Sequence, residues 1–250
     1  MFKFFRNIRQ NLIRNGQTRR YVFYALGEIA LVVIGILLAL QIDSWQTERM
    51  QRKKEILYLK EIRTNLEDDF GNVAYSIAHN QRKDSIIQLC LTSILEGSSD
   101  AESMMTILGN MPALAEFSVY TPNRVAFDNM LSAENIDLIS NDSLRTNISK
   151  FYSEGNLLFG MQDRVKDLTR KFVDNTTPLL MNRESIELIF GKSSEFDSAE
   201  DLGFRKNNTL FGDLFGMQRN LGFHTAYLQT YQEEILKLQN QIEGFLTGSE

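Results

Sequence analysis

From Tyr21 to Ile42 the chain is apolar over almost its whole length, and no other stretch constrains its fold as strongly. A helix needs about 20 consecutive apolar residues to cross a bilayer. Val22, Phe23, Ile29, Leu31, Val32, Val33, Ile34, Ile36, Leu37, Leu38 and Leu40 supply them here. A cleaved signal peptide has a shorter apolar stretch that ends in a small-x-small site, and Leu38-Ala39-Leu40-Gln41 is a poor one. Residues 21–42 therefore read as an uncleaved transmembrane helix. Tyr21 and Tyr24 at one end and Trp45 beyond the other suit the two headgroup regions.

Lys and Arg set orientation. Lys3, Arg6, Arg9, Arg14, Arg19 and Arg20 precede the span with no acid among them, whereas Arg49, Arg52, Lys53 and Lys54 follow it mixed with Asp43, Glu48 and Glu55. This predicts an inner-membrane protein with a cytoplasmic N-terminus and a periplasmic C-terminal part. Phe2, Phe5, Ile8 and Leu12 recur at helical spacing among the first basic residues. Residues 1–20 thus read as a basic amphipathic segment that lies on the anionic bilayer surface, or as an orientation signal alone. Inside the span, Glu28 is an ionisable group where such groups serve function by default. Gly27 and the Gly35/Ala39 small-xxx-small pair allow a second helix to come close. These four form a candidate intramembrane contact; a snorkelling or protonated Glu28 is the plainer reading.

The rest of the chain has ordinary soluble composition. The whole chain has a net charge of −5 with its basic residues gathered at the N-terminus, which leaves this part more acidic and argues against nucleic acid as a partner. Cys90 is the only cysteine, and its neighbours Ile86, Ile87, Leu89 and Leu91 suggest a buried small hydrophobe. With two histidines and one cysteine, no thiolate or multi-histidine metal site is expected, and no cofactor. Only three prolines interrupt the chain, so long helices are permitted.

Periodicity predicts an all-α body. Residues 43–97 read as a polar stalk running into a first long helix, whose seam is Leu59, Ile62, Leu66, Phe70, Val73, Ile77, Asn80, Asp84, Ile87, Leu91 and Ile94. Turn chemistry at Gly97 to Asp100 ends it, and residues 98–250 form the remainder of a coiled-coil-like helical bundle. Ala101 to Asn110 looks helical, and Thr121-Pro122 reads as an N-cap with proline at the first helical position. One helix is expected from Asn141 or Asp142 to about Asn175, and Ser193 to Gly203 is loop-like. The clearest stripe is Leu210, Leu214, Met217, Leu221, His224, Leu228, Tyr231, Ile235, Leu238, Ile242 and Phe245, alternating four and three without a slip. His224 on that stripe is the one candidate seam polar group: pH-sensitive or ligand-binding in one reading, a hydrogen-bonded seam residue in the other. Leu158-Phe159-Gly160-Met161-Gln162 recurs as Leu214-Phe215-Gly216-Met217-Gln218, which suggests that the two glycines let their helices approach closely.

Several of these residues resemble a known family. Phe4-Phe5-Arg6-Asn7-Ile8-Arg9-Gln10-Asn11-Leu12, Tyr24-Ala25-Leu26-Gly27-Glu28-Ile29 and the run Val32 to Ile42 are similar to single-pass membrane proteins of Bacteroidota, especially flavobacteria. The likeness returns at Thr121-Pro122, Ala126-Phe127, Leu131, Leu138-Ile139, Leu144-Arg145, Ile148 and Phe151-Tyr152. The chain departs from it where a glycine turn is expected, carrying Ala133-Glu134-Asn135 instead. That family is of unknown function, so the resemblance implies an inner-membrane anchor with a periplasmic helical domain, and no activity.

Catalytic motifs are absent: no Gly-x-Ser-x-Gly, no phosphate-cradling glycine loop, no His-Glu-x-x-His. Glu67, Asp68 and Asp69 read as a solvated helix face, since acids are mostly surface residues. The sequence predicts a non-enzymatic, membrane-anchored scaffold or interaction protein of the envelope, homo-oligomeric or bound to an envelope partner. The alternative is a periplasmic ligand-sensing bundle that signals through a membrane partner, because some 20 cytoplasmic residues are too short for an output domain. A polar-lined pocket between helices would favour sensing; a solid apolar core with a large exposed patch would favour a scaffold.

Overall fold

The computed structural model describes residues 18–153 and 155–248, so the amphipathic segment expected over 1–20 lies almost wholly outside them. The helices are α1 (Thr18–Glu96), α2 (Asp100–Ala115), α3 (Val125–Ser132), α4 (Asp142–Ser153), α5 (Gly155–Leu180), α6 (Arg183–Phe190) and α7 (Asn208–Thr247), with 3-10 turns at Ile136–Leu138 and Phe204–Lys206. Among the described residues there is no strand, as the periodicity predicts. Two compact units divide the chain, Met1–Ile56 and Leu57–Glu250.

In the first unit α1 turns its apolar side chains outward: Leu31 is 71% exposed and Ile29 61%. Its most apolar window has a mean hydropathy of 2.4 and none of it is buried. Each exposed aliphatic side chain would cost about 1.5–3 kcal/mol relative to burial in water, so this part of α1 is a candidate membrane span. Trp45 beyond it carries the Arg49 guanidinium over its ring at 5.8 Å.

In the second unit the stripes turn inward. Every position of the α7 stripe from Leu210 to Ile242 is buried, and Phe245 packs against the core. The α1 stripe follows its prediction through Leu59, Ile62, Leu66, Val73, Ile77, Asn80, Ile87, Leu91 and Ile94, but it slips at two places. Asp69, not Phe70, faces inward, and Lys83 is buried in place of Asp84. α5 packs most extensively on α7, and α2 and α4 pack on α5. An ion pair between Arg63 and Glu243 at 2.7 Å ties α1 to α7.

Local chemistry sets most boundaries. Gly97 closes α1 with its N–H on Ser93 O, and a Cβ there would lie 2.3 Å from that oxygen. Ser99 then caps α2, with Glu102 reaching back to Ser98 N at 2.7 Å. Asn141, Asn182 and Asn207 cap α4, α6 and α7 through their side-chain oxygens. After α3 the chain turns at Glu134, whose φ of 55° is the left-handed conformation that favours glycine. Asn135 N donates to Met130 O and Glu134 N to Leu131 O, the paired bonds of a Schellman turn. The glycine turn is therefore present in shape, with glutamate in the glycine's place.

Three expectations are corrected. The helix expected from Asn141 to Asn175 is described as α4 and α5, on either side of residue 154, which lies outside the described residues. α5 also runs past Pro178, and α2 past Pro112; each proline removes the one bond from its own position to the carbonyl four residues back, and each helix ends within four residues. Thr121-Pro122 does not open α3, which starts at Val125 with Arg124 at its cap. Finally, a Cβ at Gly160 or Gly216 would meet nothing within 4 Å, so the repeated glycines hold no helices close. What the repeat does place inward is its leucines, Leu158 and Leu214, both fully buried.

The core of this unit falls into two clusters. One gathers Leu59, Leu66, Phe127, Phe151, Tyr152 and Leu228, and the other Ile87, Met104, Phe172, Phe204, Leu214 and Leu221. Buried polar side chains lie between them in sequence on each long helix: Asn80 and Lys83 on α1, Gln162 on α5 and His224 on α7.

Candidate functional site

Residues 116–124 link α2 to α3 and form no helix, so their backbone polar groups need partners from elsewhere. Side chains of the long helices supply them. The Gln162 amide pairs with Tyr120 in both directions, accepting from its N–H at 2.7 Å and donating to its carbonyl at 2.9 Å. Lys83 donates to the Glu116 carbonyl and, at 3.0 Å, to the Thr169 hydroxyl. Ser76 and Ser118 share a hydrogen bond of 2.9 Å. Both oxygens of Asp69 accept from Asn123 N–H at 3.0 Å. That bond explains the late start of α3: Asn123 is held to α1 instead of entering a helix.

Asp69 was expected on a solvated face and is fully buried, whereas Glu67 and Asp68 beside it are exposed. Burial pushes its carboxyl up to about 6 and Asp68 adds to the rise; the Asn123 N–H and Tyr120 hydroxyl pull the other way. None of these is a cation. Around it stands a chain of rings: Tyr120 to Tyr231 at 5.9 Å, Tyr231 to Phe151 at 5.0 Å, Phe151 to Tyr152 at 5.1 Å and Tyr152 to Phe127 at 4.5 Å. The hydroxyls of Tyr120, Tyr152 and Tyr231 are buried; Tyr120 interacts with Asp69 and with Tyr231, whereas the Tyr152 hydroxyl has no hydrogen-bond partner. Burial raises all three phenols above their ordinary value, with the Asp69 charge adding to it, so they stay protonated. Buried donors without partners are uncommon and mark water or ligand positions.

Next to these rings a cleft of about 440 Å³ opens, lined by Pro122, Arg124, Phe127, Tyr152, Phe159 and Tyr231 among others. Its volume lies in the range of small-molecule sites. Among the described residues, Arg124 is the only charged one on its wall. The guanidinium donates to the Tyr152 carbonyl and to both oxygens of Asp128, at 3.4 Å from Nε and 3.1 Å from Nη2. It also lies over the Phe127 and Tyr152 rings at 5.7 Å each. It is thus held on two sides before any ligand arrives.

The residues singled out from sequence do not meet here. Gly27, Gly35 and Ala39 are exposed on the apolar part of α1, and Glu28 is half-buried there; a Cβ at either glycine meets nothing. His224 is buried on α7, where the Asn80 amide donates to its Nδ1 at 3.0 Å. Burial pushes it down to about 4, so it is neutral at ordinary pH. Cys90 is fully buried and its thiol is pushed up to about 11 by burial, which makes it unreactive. Among the described residues no group of His, Cys, Asp and Glu could hold a metal ion. Sequence reasoning missed Asp69, Arg124 and the tyrosines. The one local signal was the seam itself, which placed Phe70 inward and so pointed one residue away from Asp69.

The chain belongs to a family of unknown function (DUF6090), whose model matches residues 28–174. The match takes in the candidate span from Glu28 onward, Asp69, Arg124 and every named wall of the cleft but Tyr231. No curated protein and no solved structure matches the chain.

Proposed function

We propose, with that membership as premise, that this chain is a non-enzymatic recognition protein of the cell envelope. Its span anchors it in the inner membrane with the N-terminus in the cytoplasm. Its helical body, on the periplasmic side, binds a ligand in the Arg124–Tyr231 cleft and signals through a partner in the membrane. The observation that carries this reading is Arg124: a guanidinium held at the wall of a cleft of ligand size, beside the buried Tyr152 hydroxyl, which lacks a partner. Recognition suits these groups better than chemistry does. Both oxygens of Asp69 are taken by a backbone N–H, and His224 is sealed in a seam.

One observation favours the scaffold reading instead. Leu188, Ile189 and Phe190 on α6, with Phe196 after it, are all more than half exposed, and such a patch suits a protein partner. Native mass spectrometry of the full chain, extracted into lipid nanodiscs, separates the two. Recognition predicts a small bound mass on the wild type that Phe159→Trp, which fills the cleft, removes. A stoichiometric protein partner with no small mass would overturn recognition in favour of the scaffold. Orientation is checked with Ser193→Cys, because the native Cys90 is buried: a membrane-impermeant maleimide should label it from the periplasmic side, and labelling only after the inner membrane is opened would reverse the topology.

A further inference from the structure

The donors of Arg124 identify what the cleft takes. A guanidinium carries five N–H donors. Three are engaged here: one from Nη1 to the Tyr152 carbonyl, and one each from Nε and Nη2 to Asp128. Two remain, one on each terminal nitrogen. A fork of that shape matches the two oxygens of a carboxylate.

Charge limits the ligand further. Among the described residues no Lys and no second Arg lines the cleft. Asp128 already offsets part of the Arg124 charge at 3.1 Å, and the buried Asp69 carboxylate acts on the Tyr152 phenol behind the wall. One negative charge can be held there; a phosphate dianion would meet more repulsion than attraction. The walls set the rest. Phe127, Phe159, Leu131 and Pro122 offer apolar surface, and Phe159 and Leu131 remain partly exposed without a ligand. We infer that the cleft binds a small monocarboxylate with an apolar, ring-sized body, its carboxylate on the free edge of Arg124 and its body against Phe127 and Phe159. This inference rests on the reading of the cleft as a binding site.

Fluorine NMR on the full chain in nanodiscs tests it with three probes of one shape: 4-fluorophenylacetate, its amide, and 4-fluorophenethylamine. The acid should broaden and shift on binding, and the amide should bind about tenfold more weakly, the value of one charge-assisted bond. Arg124→Gln should abolish the preference. Because Arg124 also holds the Tyr152 carbonyl, Asp128→Asn serves as the second variant: it leaves Arg124 in place with more uncompensated charge and should tighten the acid several-fold. Equal binding of acid and amide would overturn the carboxylate assignment and leave the cleft standing as a site. Preference for the amine would also overturn it. Silence from all three probes would overturn both the inference and the reading of the cleft.

Discussion

Each half of the helical body buries one aspartate, and the two are treated differently. Asp213, on α7 beside the second core, takes the Lys171 ammonium at 2.9 Å and the Asn175 amide at 2.6 Å. Asp69, on α1 in the first core, has a backbone N–H and a phenol and no cation. Burying a carboxylate costs several kcal/mol unless a partner compensates it. Asp213 has that partner at the edge of the fold, with Lys171 still mostly exposed. Asp69 is left to carry its own desolvation, and the consequence is a proton held to about pH 6. The second core is thus an ordinary packed interior, and the first keeps an unfavourable group in its middle because the 116–124 segment needs it.

The contrast can be broken from either side. The largest effect is expected in the packed half. Phe172→Ala removes a fully buried ring and should lower unfolding free energy by about 3–5 kcal/mol in a denaturant titration. Asp69→Asn acts in the opposite sense. A carboxyl whose folded value is raised contributes stability that is full below its unfolded value and lost as pH rises through about 6. The asparagine variant should therefore match the wild type near pH 4 and exceed it above pH 7 by about 2 kcal/mol, less whatever its lost acceptor removes. His224 has the other sign: its folded value is lowered to about 4, so its contribution is full above pH 6.5 and is lost as pH falls towards 4. Between those values the two groups oppose each other, and the wild-type midpoint should change little while the Asp69→Asn midpoint falls on acidification. A wild-type midpoint that tracks that of Asp69→Asn would refute the assignment of Asp69 as the uncompensated charge.

Lys171→Met makes the second half resemble the first, stripping Asp213 of its cation. Since Lys171 is largely exposed, a loss of about 1 kcal/mol is expected in a denaturant titration. The smallest effect should come from Glu134→Gly. A left-handed non-glycine residue costs about 1 kcal/mol, so this change should raise the thermal midpoint slightly; a fall would mean the Glu134 side chain holds something the turn geometry does not.

These same positions show what could be read from the residues alone. The α7 stripe was legible from Leu210 to Ile242 because one long helix packs one face against neighbours, and period suffices to find that face. The α1 stripe was legible wherever its inward residues are apolar. It failed at Asp69 and Lys83, because the rule that ranks acids and lysines as surface residues has no term for a distant backbone that lacks partners. Thr121-Pro122 misled for the same reason: the local signal for a helix start is real, but the Asn123–Asp69 bond outweighs it. The cleft was illegible because its walls come from residues between Pro122 and Tyr231 that no spacing rule connects. The glycine echo failed differently, since identity between two pentapeptides says nothing about which side of a helix faces a neighbour.

Residues 116–124 owe their shape to a few side-chain bonds, from Gln162, Asp69, Lys83 and Ser76, rather than to a ladder of their own. Such a segment has no cooperative reserve. When one of those side chains lets go, the neighbouring amides lose their register together, long before the helices open. Hydrogen exchange along the chain would then show a notch between two protected stretches, and a protease added to the folded protein would find its first foothold there, between α2 and α3.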